Sequence, residues 1–79
     1  MPWIEGEIEK SIYESVRKLR AIGAMPETAY MNRATYVSLL YESHNVVASI
    51  ERGKGLEHYI FGLKMEERND LEDNKIVIQ

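Results

Sequence analysis

The chain has 79 residues, of which 44% are hydrophobic and 29% are charged, and its formal net charge at pH 7 is −3. A chain of this length forms one domain, residues 1–79, with a small core, since it buries only about 60–65% of its unfolded surface. The negative charge disfavours nucleic acid as a partner, because binding to phosphates relies on clustered Lys and Arg.

The first predicted element is a helix over residues 5–22, after a short lead-in at residues 1–5. One face of this helix carries apolar side chains at helical spacing, namely Ile4, Ile8, Ile12, Val16 and Leu19. Its end carries a local basic patch that complements the helix dipole, formed by Arg17, Lys18 and Arg20. Gly23 supplies the left-handed conformation that commonly follows a helix.

Residues 28–41, with the sequence TAYMNRATYVSLLY, predict a strand that leads directly into a second helix. Asn32 is a favourable N-cap, because its side-chain oxygen can accept a hydrogen bond from the backbone N–H of Thr35. Beyond the cap, one helical face carries Tyr36, Leu39, Leu40 and Ser43. The helix is expected to end near His44 and Asn45, since Asn is common just past a helix.

The rest of the chain predicts strands and turns. Residues 46–52 are expected to be a strand or an extended arm, and residues 53–55 a turn. Residues 56–67 predict one continuous strand. Its alternation places Tyr59, Phe61, Leu63 and Met65 on one side, and His58, Ile60, Gly62 and Lys64 on the other. A polar turn over residues 69–74 leads to a short last strand over residues 75–79.

These elements predict an α+β fold in which two helices pack on a small, mainly antiparallel sheet. The expected order is helix, strand, helix, and then two or three strands. The expected core consists of Ile8, Ile12, Val16, Leu19, Met31, Tyr36, Leu39, Leu40, Phe61, Leu63 and Ile76.

No combination of side chains indicates catalysis, a cofactor or a metal site. The chain has no cysteine, which excludes disulfides and a thiol nucleophile. A hydroxyl nucleophile needs a base within hydrogen-bonding reach, and the imidazole bases are His44 and His58. Together with Glu42 and Glu57, these histidines do not match the ligand spacing of a zinc site. We therefore predict a non-enzymatic protein without metal or cofactor; the alternative is a small hydrolase that uses His44 or His58.

The aromatic residues favour a protein partner. The chain contains five tyrosines and one tryptophan, and tyrosine is enriched at interfaces. The candidate interface residues are Trp3, Tyr13, Tyr41, His58, Tyr59 and Phe61. These aromatic residues and the apolar side of the strand predicted over residues 56–67 give so small a chain surplus apolar surface, so we expect a homo-oligomer. Cyclic dimers are the commonest such assemblies.

A membrane location is not expected. No apolar run approaches the roughly 18 residues of a membrane span, and no signal-peptide pattern occurs at the start. The sequence therefore predicts a soluble, intracellular protein.

Several short motifs, in a fixed order, resemble the later part of the major capsid proteins of tailed bacteriophages. The matching positions are Met31-Asn32, Thr35-Tyr36-Val37, Phe61-Gly62-Leu63 and residues 71–78, within a similarity that spans about residues 12–78. Members of that family often have Pro where Arg33 stands. A complete shell subunit is several times longer, with an N-terminal arm, an extended loop and a long spine helix that this chain does not accommodate.

The resemblance implies the axial-domain fold of those capsid proteins, the part that clusters around the symmetry axes of the shell. It further implies a small structural or assembly-accessory protein of phage or prophage origin, in the host cytoplasm or associated with the virion. Its partner would be a second copy or a phage shell protein. The alternative is a stand-alone interaction module, such as a small regulator that binds a host protein through Tyr59 and Phe61. A nucleic-acid-binding regulator that uses the basic patch is disfavoured by the charge.

Overall fold

A computed structural model describes residues 7–42 and 46–79, which form two helices and one five-stranded sheet. The helices are α1, Glu7–Ala21, and α2, Arg33–Glu42. The strands are β1, Thr28–Met31; β2, Val47–Arg52; β3, Gly55–Ile60; β4, Leu63–Glu67; and β5, Val77–Ile78. Several predicted features lie outside the described residues. These are the lead-in with Trp3 and Ile4, the helical position of Ser43, and the end of the second helix near His44 and Asn45.

The strands are arranged in the order β2-β3-β4-β1-β5. β1 runs parallel to β4, whereas the other three neighbouring pairs are antiparallel. The sheet is therefore mixed and mainly antiparallel, and the predicted α+β fold with two helices on a small sheet is confirmed. The sequence predicted two or three strands after the second helix, and the structure has four.

Both helices pack on the same face of the sheet. Residues that lie directly opposite each other on neighbouring strands point to the same face. The strands contribute side chains to this covered face that are at most 3% exposed, namely Ala29, Met31, Ile60, Leu63 and Met65. α1 adds Ile12 and Val16 to the same cluster, and α2 adds Leu39. The fold is thus a helix layer on a sheet layer, with one core between them.

The predicted joint between β1 and α2 is confirmed. The backbone N–H of Thr35 donates a hydrogen bond of 2.8 Å to Oδ1 of Asn32, as expected for an N-cap. Nδ2 of Asn32 also donates to Oδ1 of Asp73 at 2.6 Å and to the carbonyl of Leu71 at 3.3 Å. Asn32 therefore begins α2 and also holds the loop before β5 against the start of that helix.

The prediction of one continuous strand over residues 56–67 is wrong. The segment forms a β-hairpin, in which Ile60 pairs with Leu63 and only Phe61 and Gly62 lie between the strands. Both turn residues have positive φ, 49° at Phe61 and 82° at Gly62, as in the type I′ turn that matches the twist of paired strands. Gly62 is therefore a turn residue and does not lie inside a strand.

The hairpin also changes which side chains share a face. A two-residue turn places Ile60 opposite Leu63, so Ile60 joins the face of Leu63 and Met65. The predicted grouping of Tyr59 with Leu63 was wrong for the same reason, because Tyr59 is opposite Lys64 on the other face. Similarly, His58 does not point away from the helices, since its ring lies 6.0 Å from that of Tyr36 on α2.

Most of the predicted core is buried or packs against the core. Five predicted residues are buried: Ile12, Val16, Met31, Leu39 and Leu63. Four more are half-buried against this cluster: Ile8, Tyr36, Phe61 and Ile76. Leu19 and Leu40 are half-buried. The prediction missed Ala29, Ile60 and Met65, and also Thr35, whose Oγ1 accepts a hydrogen bond of 2.8 Å from the backbone N–H of Asn74.

Candidate interaction surfaces

The face of the sheet that points away from the helices is the first candidate surface. We call it the open face. It is formed by Thr28, Tyr30, Ala48, Ile50, Arg52, Glu57, Tyr59, Lys64, Glu66 and Val77. One row across it joins Ala48, Tyr59, Lys64 and Thr28, and a second joins Glu66, Tyr30 and Val77. Two aromatic rings therefore stand on either side of β4, next to charged side chains.

Polar contacts hold the tyrosine side chains of the open face. The hydroxyl of Tyr59 donates a hydrogen bond of 2.8 Å to Oε2 of Glu57, and Nε of Arg52 lies 3.7 Å from the same oxygen. On β4, Nζ of Lys64 lies 3.1 Å from Oε1 of Glu66. Positive and negative groups thus alternate, and the strands of this face present no field of a single sign.

The ring of Tyr30 is held by a cation. The guanidinium carbon of Arg68 lies 5.4 Å from the centroid of this ring, within the range of a cation–π contact. Arg68 in turn donates hydrogen bonds of 3.2 and 2.9 Å to the two carboxylate oxygens of Asp70. These hydrogen bonds hold the pKa of Asp70 below its ordinary value. The position of Tyr30 therefore depends on a residue just beyond β4.

The same contacts change proton affinities on the open face. The hydrogen bond to Glu57 raises the pKa of Tyr59 above its ordinary value, because the ionised phenol could no longer donate it. The hydrogen bond to Glu66 raises the pKa of Lys64, because it stabilises the charged ammonium. Both shifts favour the protonated forms, the neutral phenol of Tyr59 and the ammonium of Lys64.

A groove between α1 and the β3–β4 turn is the second candidate surface. Val16 and Arg17 lie three and four positions after Tyr13, and Arg20 lies four and three positions after them, so the four residues share one side of the helix. Together with Phe61 they line a groove of about 410 Å³. The Tyr13 and Phe61 rings meet edge to face, with centroids 5.4 Å apart and an angle of 65° between their planes. The groove thus combines an aromatic wall with two guanidinium groups.

Phe61 holds its place in the groove at a conformational cost. Its φ of 49° lies in the left-handed region, which Asn, Asp and Gly tolerate and which costs other residues about 1–3 kcal/mol. The edge-to-face contact with Tyr13 offsets part of this cost, because such pairs contribute about 0.5–1.5 kcal/mol beyond area burial. The turn therefore places an aromatic ring where Asn would fit the backbone better.

Ser49 and His58 form the one hydroxyl–imidazole hydrogen bond among the described residues. They are opposite each other on β2 and β3, and the Oγ–Nδ1 distance is 2.8 Å. The nearby Tyr36 ring presents its edge at 6.0 Å between centroids. No hydrogen bond of the described residues joins the other nitrogen of His58 to a carboxylate. The pair thus lacks the third group that orients the base in a serine nucleophile site.

The six residues predicted for an interface do not form one surface. Tyr13 and Phe61 meet in the groove, whereas Tyr59 lies on the open face and His58 on the covered face. Tyr41 is 80% exposed near the end of α2, and Trp3 lies outside the described residues. Tyr59 and Phe61, proposed together for a host partner, belong to two different surfaces.

Sequence reasoning missed three residues that these surfaces depend on. Tyr30 was counted among the tyrosines and was not selected, although its alternation with Ala29 and Met31 places it on the opposite face of β1. Arg17 and Arg20 were read as part of a continuous basic patch that includes Lys18. The spacing of Tyr13, Arg17 and Arg20 along the helix is the signal that separates the groove from Lys18, which lies on another side.

The described residues form neither a metal-binding cluster nor a membrane-spanning helix. Within residues 7–42 and 46–79, no three His, Asp or Glu side chains are grouped as ligands for a metal ion. Neither α1 nor α2 is long and apolar enough to cross a membrane. Comparison with known proteins adds no relative, since no family model, no curated protein and no solved structure matches the chain.

Proposed function

We propose that the protein is a small, non-enzymatic protein of phage or prophage origin with a capsid-like axial domain, and that it acts through protein–protein contacts. Its role would be structural or assembly-accessory, in the host cytoplasm or on the virion. The open face is the observation that carries the interaction part of this proposal. Both helices lie on the other side of the sheet, so the rings of Tyr30 and Tyr59 are available to a partner.

The chemistry of the open face is suited to a protein surface. Tyrosine offers a large, rigid ring and a hydroxyl, and it is enriched among the residues that dominate binding energy. The charges around the rings alternate, which suits a partner surface of mixed sign and gives no advantage to polyanions such as nucleic acid. A second copy and a phage shell protein are the two partners that we expect.

The phage part of the proposal rests on the ordered sequence motifs described above. The elements that carry them follow one another along the chain in the same order as the motifs. Met31-Asn32 ends β1 and caps α2, and Phe61-Gly62-Leu63 forms the β3–β4 turn and the start of β4. The motifs near the end of the chain cover the loop that is attached to Asn32 and strand β5.

The test is affinity capture from cells with an induced prophage or under phage infection. The wild-type protein is compared with a Tyr30→Ala/Tyr59→Ala variant of the open face. Tyr41→Ala serves as the matched control, since it removes an exposed tyrosine from α2. We expect capture of phage shell proteins by the wild type and by Tyr41→Ala. The open-face variant should lose about 2 kcal/mol or more of binding free energy if its tyrosines dominate the interface.

Three outcomes would contradict parts of this proposal. Capture of a host regulator without shell proteins would favour the stand-alone interaction module. Loss of capture with Tyr41→Ala alone would move the interface to the helix layer. Light scattering that gives a strict 9.2 kDa monomer at high protein concentration would exclude the homo-oligomer.

A further inference from the structure

We propose that the groove between α1 and the β3–β4 turn is a second binding site, and that it takes an acidic peptide segment of a partner protein with one apolar or aromatic side chain. This site goes beyond the function proposed for the open face. It lies in the helix layer and at the hairpin turn, and it shares none of the residues of the open face.

The charge of the groove selects an anionic partner. Arg17 and Arg20 are exposed, and within the described part of the chain neither is in an ion pair, although three other ion pairs are formed there. Guanidinium groups bind carboxylates through paired, charge-assisted hydrogen bonds. Two arginines three positions apart on a helix have side chains that begin about 5–6 Å from each other. Alternate residues of an extended peptide are about 6.5–7 Å apart, which suits one carboxylate for each arginine.

The apolar wall of the groove favours a peptide that carries one apolar or aromatic side chain. Tyr13 and Phe61 are both half-buried and leave part of each ring open to the groove, above the buried Val16. An aromatic side chain of the ligand would stack against these rings. A simple anion such as phosphate would gain nothing from this wall, so the combination favours a peptide.

The backbone conformation of the turn indicates independently that the aromatic wall has a function. Phe61 occupies a left-handed position that its side chain disfavours, and strained residues of this kind concentrate at functional sites. The turn also brings Gly62 close to Arg20, since a Cβ at Gly62 would lie 3.4 Å from Nη2 of Arg20. The turn therefore contributes Phe61 to the aromatic wall and also lies next to one of the two cations.

The experiment measures binding of a fluorescein-labelled peptide, Glu-Ala-Glu-Ala-Phe with blocked ends, to the full chain by fluorescence anisotropy. Two comparison peptides replace either both Glu by Gln or the Phe by Ala. The variants are Arg17→Gln and Arg20→Gln, and Lys18→Gln is the control, because it removes the same charge from the same helix outside the groove. Thermal unfolding of each variant checks that it is folded.

We expect binding of the Glu/Phe peptide to the wild type and to Lys18→Gln with dissociation constants that agree within about twofold. Arg17→Gln and Arg20→Gln should each weaken binding by at least about tenfold, as expected for the loss of a charge-assisted hydrogen bond. Each comparison peptide should bind more weakly. Tyr30→Ala/Tyr59→Ala should bind the peptide as the wild type does, so the result is independent of the open face.

Several results would overturn the proposal. These are no binding to the wild type, an equal loss with Lys18→Gln, or equal binding of the peptide without Phe. Displacement of the peptide by inorganic phosphate or by a single-stranded oligonucleotide at similar concentrations would make the groove a general anion site. Loss of self-association in Arg17→Gln and Arg20→Gln, without peptide binding in the wild type, would assign the groove to a second copy.

Discussion

The two faces of the sheet come from the same strands and are maintained by different interactions. On the covered face, apolar side chains such as Met31, Ile60 and Leu63 are fully buried under the helices. On the open face, Tyr30 and Tyr59 are half-buried, and a cation or a carboxylate holds each side chain in place. A ring that is positioned by polar contacts remains available to a partner. The comparison therefore separates residues that stabilise the fold from residues that are free to bind.

The largest expected difference in stability is between alanine substitutions of two neighbouring residues on β4. Leu63 lies on the covered face and is 0% exposed, and Lys64 lies on the open face. Leu63→Ala should lower the free energy of unfolding by about 2–5 kcal/mol, because it leaves a cavity in the core. Lys64→Ala should change it by no more than about 0.5 kcal/mol, as for most surface substitutions. Urea denaturation of both variants measures the difference, and similar losses for the two would contradict the assignment of faces.

The second largest loss of stability is expected at Asn32, which caps α2 and holds the loop before β5 against it. Asn32→Ala removes the N-cap of α2 and the hydrogen bonds to Asp73 and Leu71. Loss of a cap costs about 0.5–2 kcal/mol, and each further hydrogen bond about 0.5–1.5 kcal/mol. We expect a destabilisation of about 2 kcal/mol in urea denaturation. Asp73→Ala is the control that keeps the cap, and it should cost less than half of this amount; equal losses would show that the loop contact dominates.

The stability of the β3–β4 turn should respond weakly to the substitution Phe61→Asn. Phe61→Asn removes the aromatic contact with Tyr13 and relieves the strain of the positive φ. Because these two effects oppose each other, the free energy of unfolding should change by no more than about 1 kcal/mol. Phe61→Ala loses the ring and keeps the strain, so it should be less stable than Phe61→Asn. The opposite order in thermal unfolding would mean that the conformation at Phe61 is not strained.

Two tyrosines on opposite faces should show the smallest effects, and only at alkaline pH. Burial, assisted by the charge of Glu67, raises the pKa of Tyr36 at the covered face, whereas a hydrogen bond to Glu57 raises that of Tyr59. A group with a raised folded-state pKa adds stability below its ordinary pKa, which is 10.0 for tyrosine, and this stability is lost as the pH rises through the folded value. Tyr36→Phe should therefore reduce the loss of stability above pH 10.

The matched variant for the open face is Glu57→Gln. It removes the carboxylate that accepts from Tyr59, so the pKa of Tyr59 should fall towards its ordinary value while that of Tyr36 is unchanged. Titration of tyrosinate absorbance in the wild type, Tyr36→Phe and Glu57→Gln separates the two groups. An unchanged titration in Glu57→Gln would contradict the hydrogen bond on the open face.

The local features of the fold could be predicted from the sequence. The apolar stripe of α1, the cap at Asn32 and strand β2 each depend on residues that are close in the chain, and the structure agrees with all three. The α+β class followed from these elements.

The β3–β4 hairpin could not be predicted, because its turn has an unusual sequence. A two-residue hairpin turn is normally indicated by Asn-Gly or Asp-Gly, and Phe61 occupies the first position of this one. The apolar alternation continues through Phe61, and this pattern is the one expected of a single strand. Once the turn was missed, Ile60 and Tyr59 were assigned to the wrong faces. A Gly at the second turn position is the one local signal that was present.

The candidate surfaces could not be predicted, because they depend on packing between elements that are distant in the chain. The contact between Tyr13 and Phe61 requires that α1 lies across the hairpin end of the sheet. The open face follows from the strand order, in which β1 inserts between β4 and β5. For this reason the five predicted interface residues that the structure describes are distributed over several surfaces, and Tyr30 was overlooked.

The parallel pairing of β1 with β4 has a consequence for how the chain folds. β2, β3 and β4 follow one another through short turns, so their antiparallel pairs close small loops. Nearly half of the chain lies between Thr28 and its partner Lys64, and closing so long a loop costs conformational entropy before any contact compensates for it. We therefore expect the three-stranded meander to form early and the docking of β1, with β5 beside it, to limit the rate of folding.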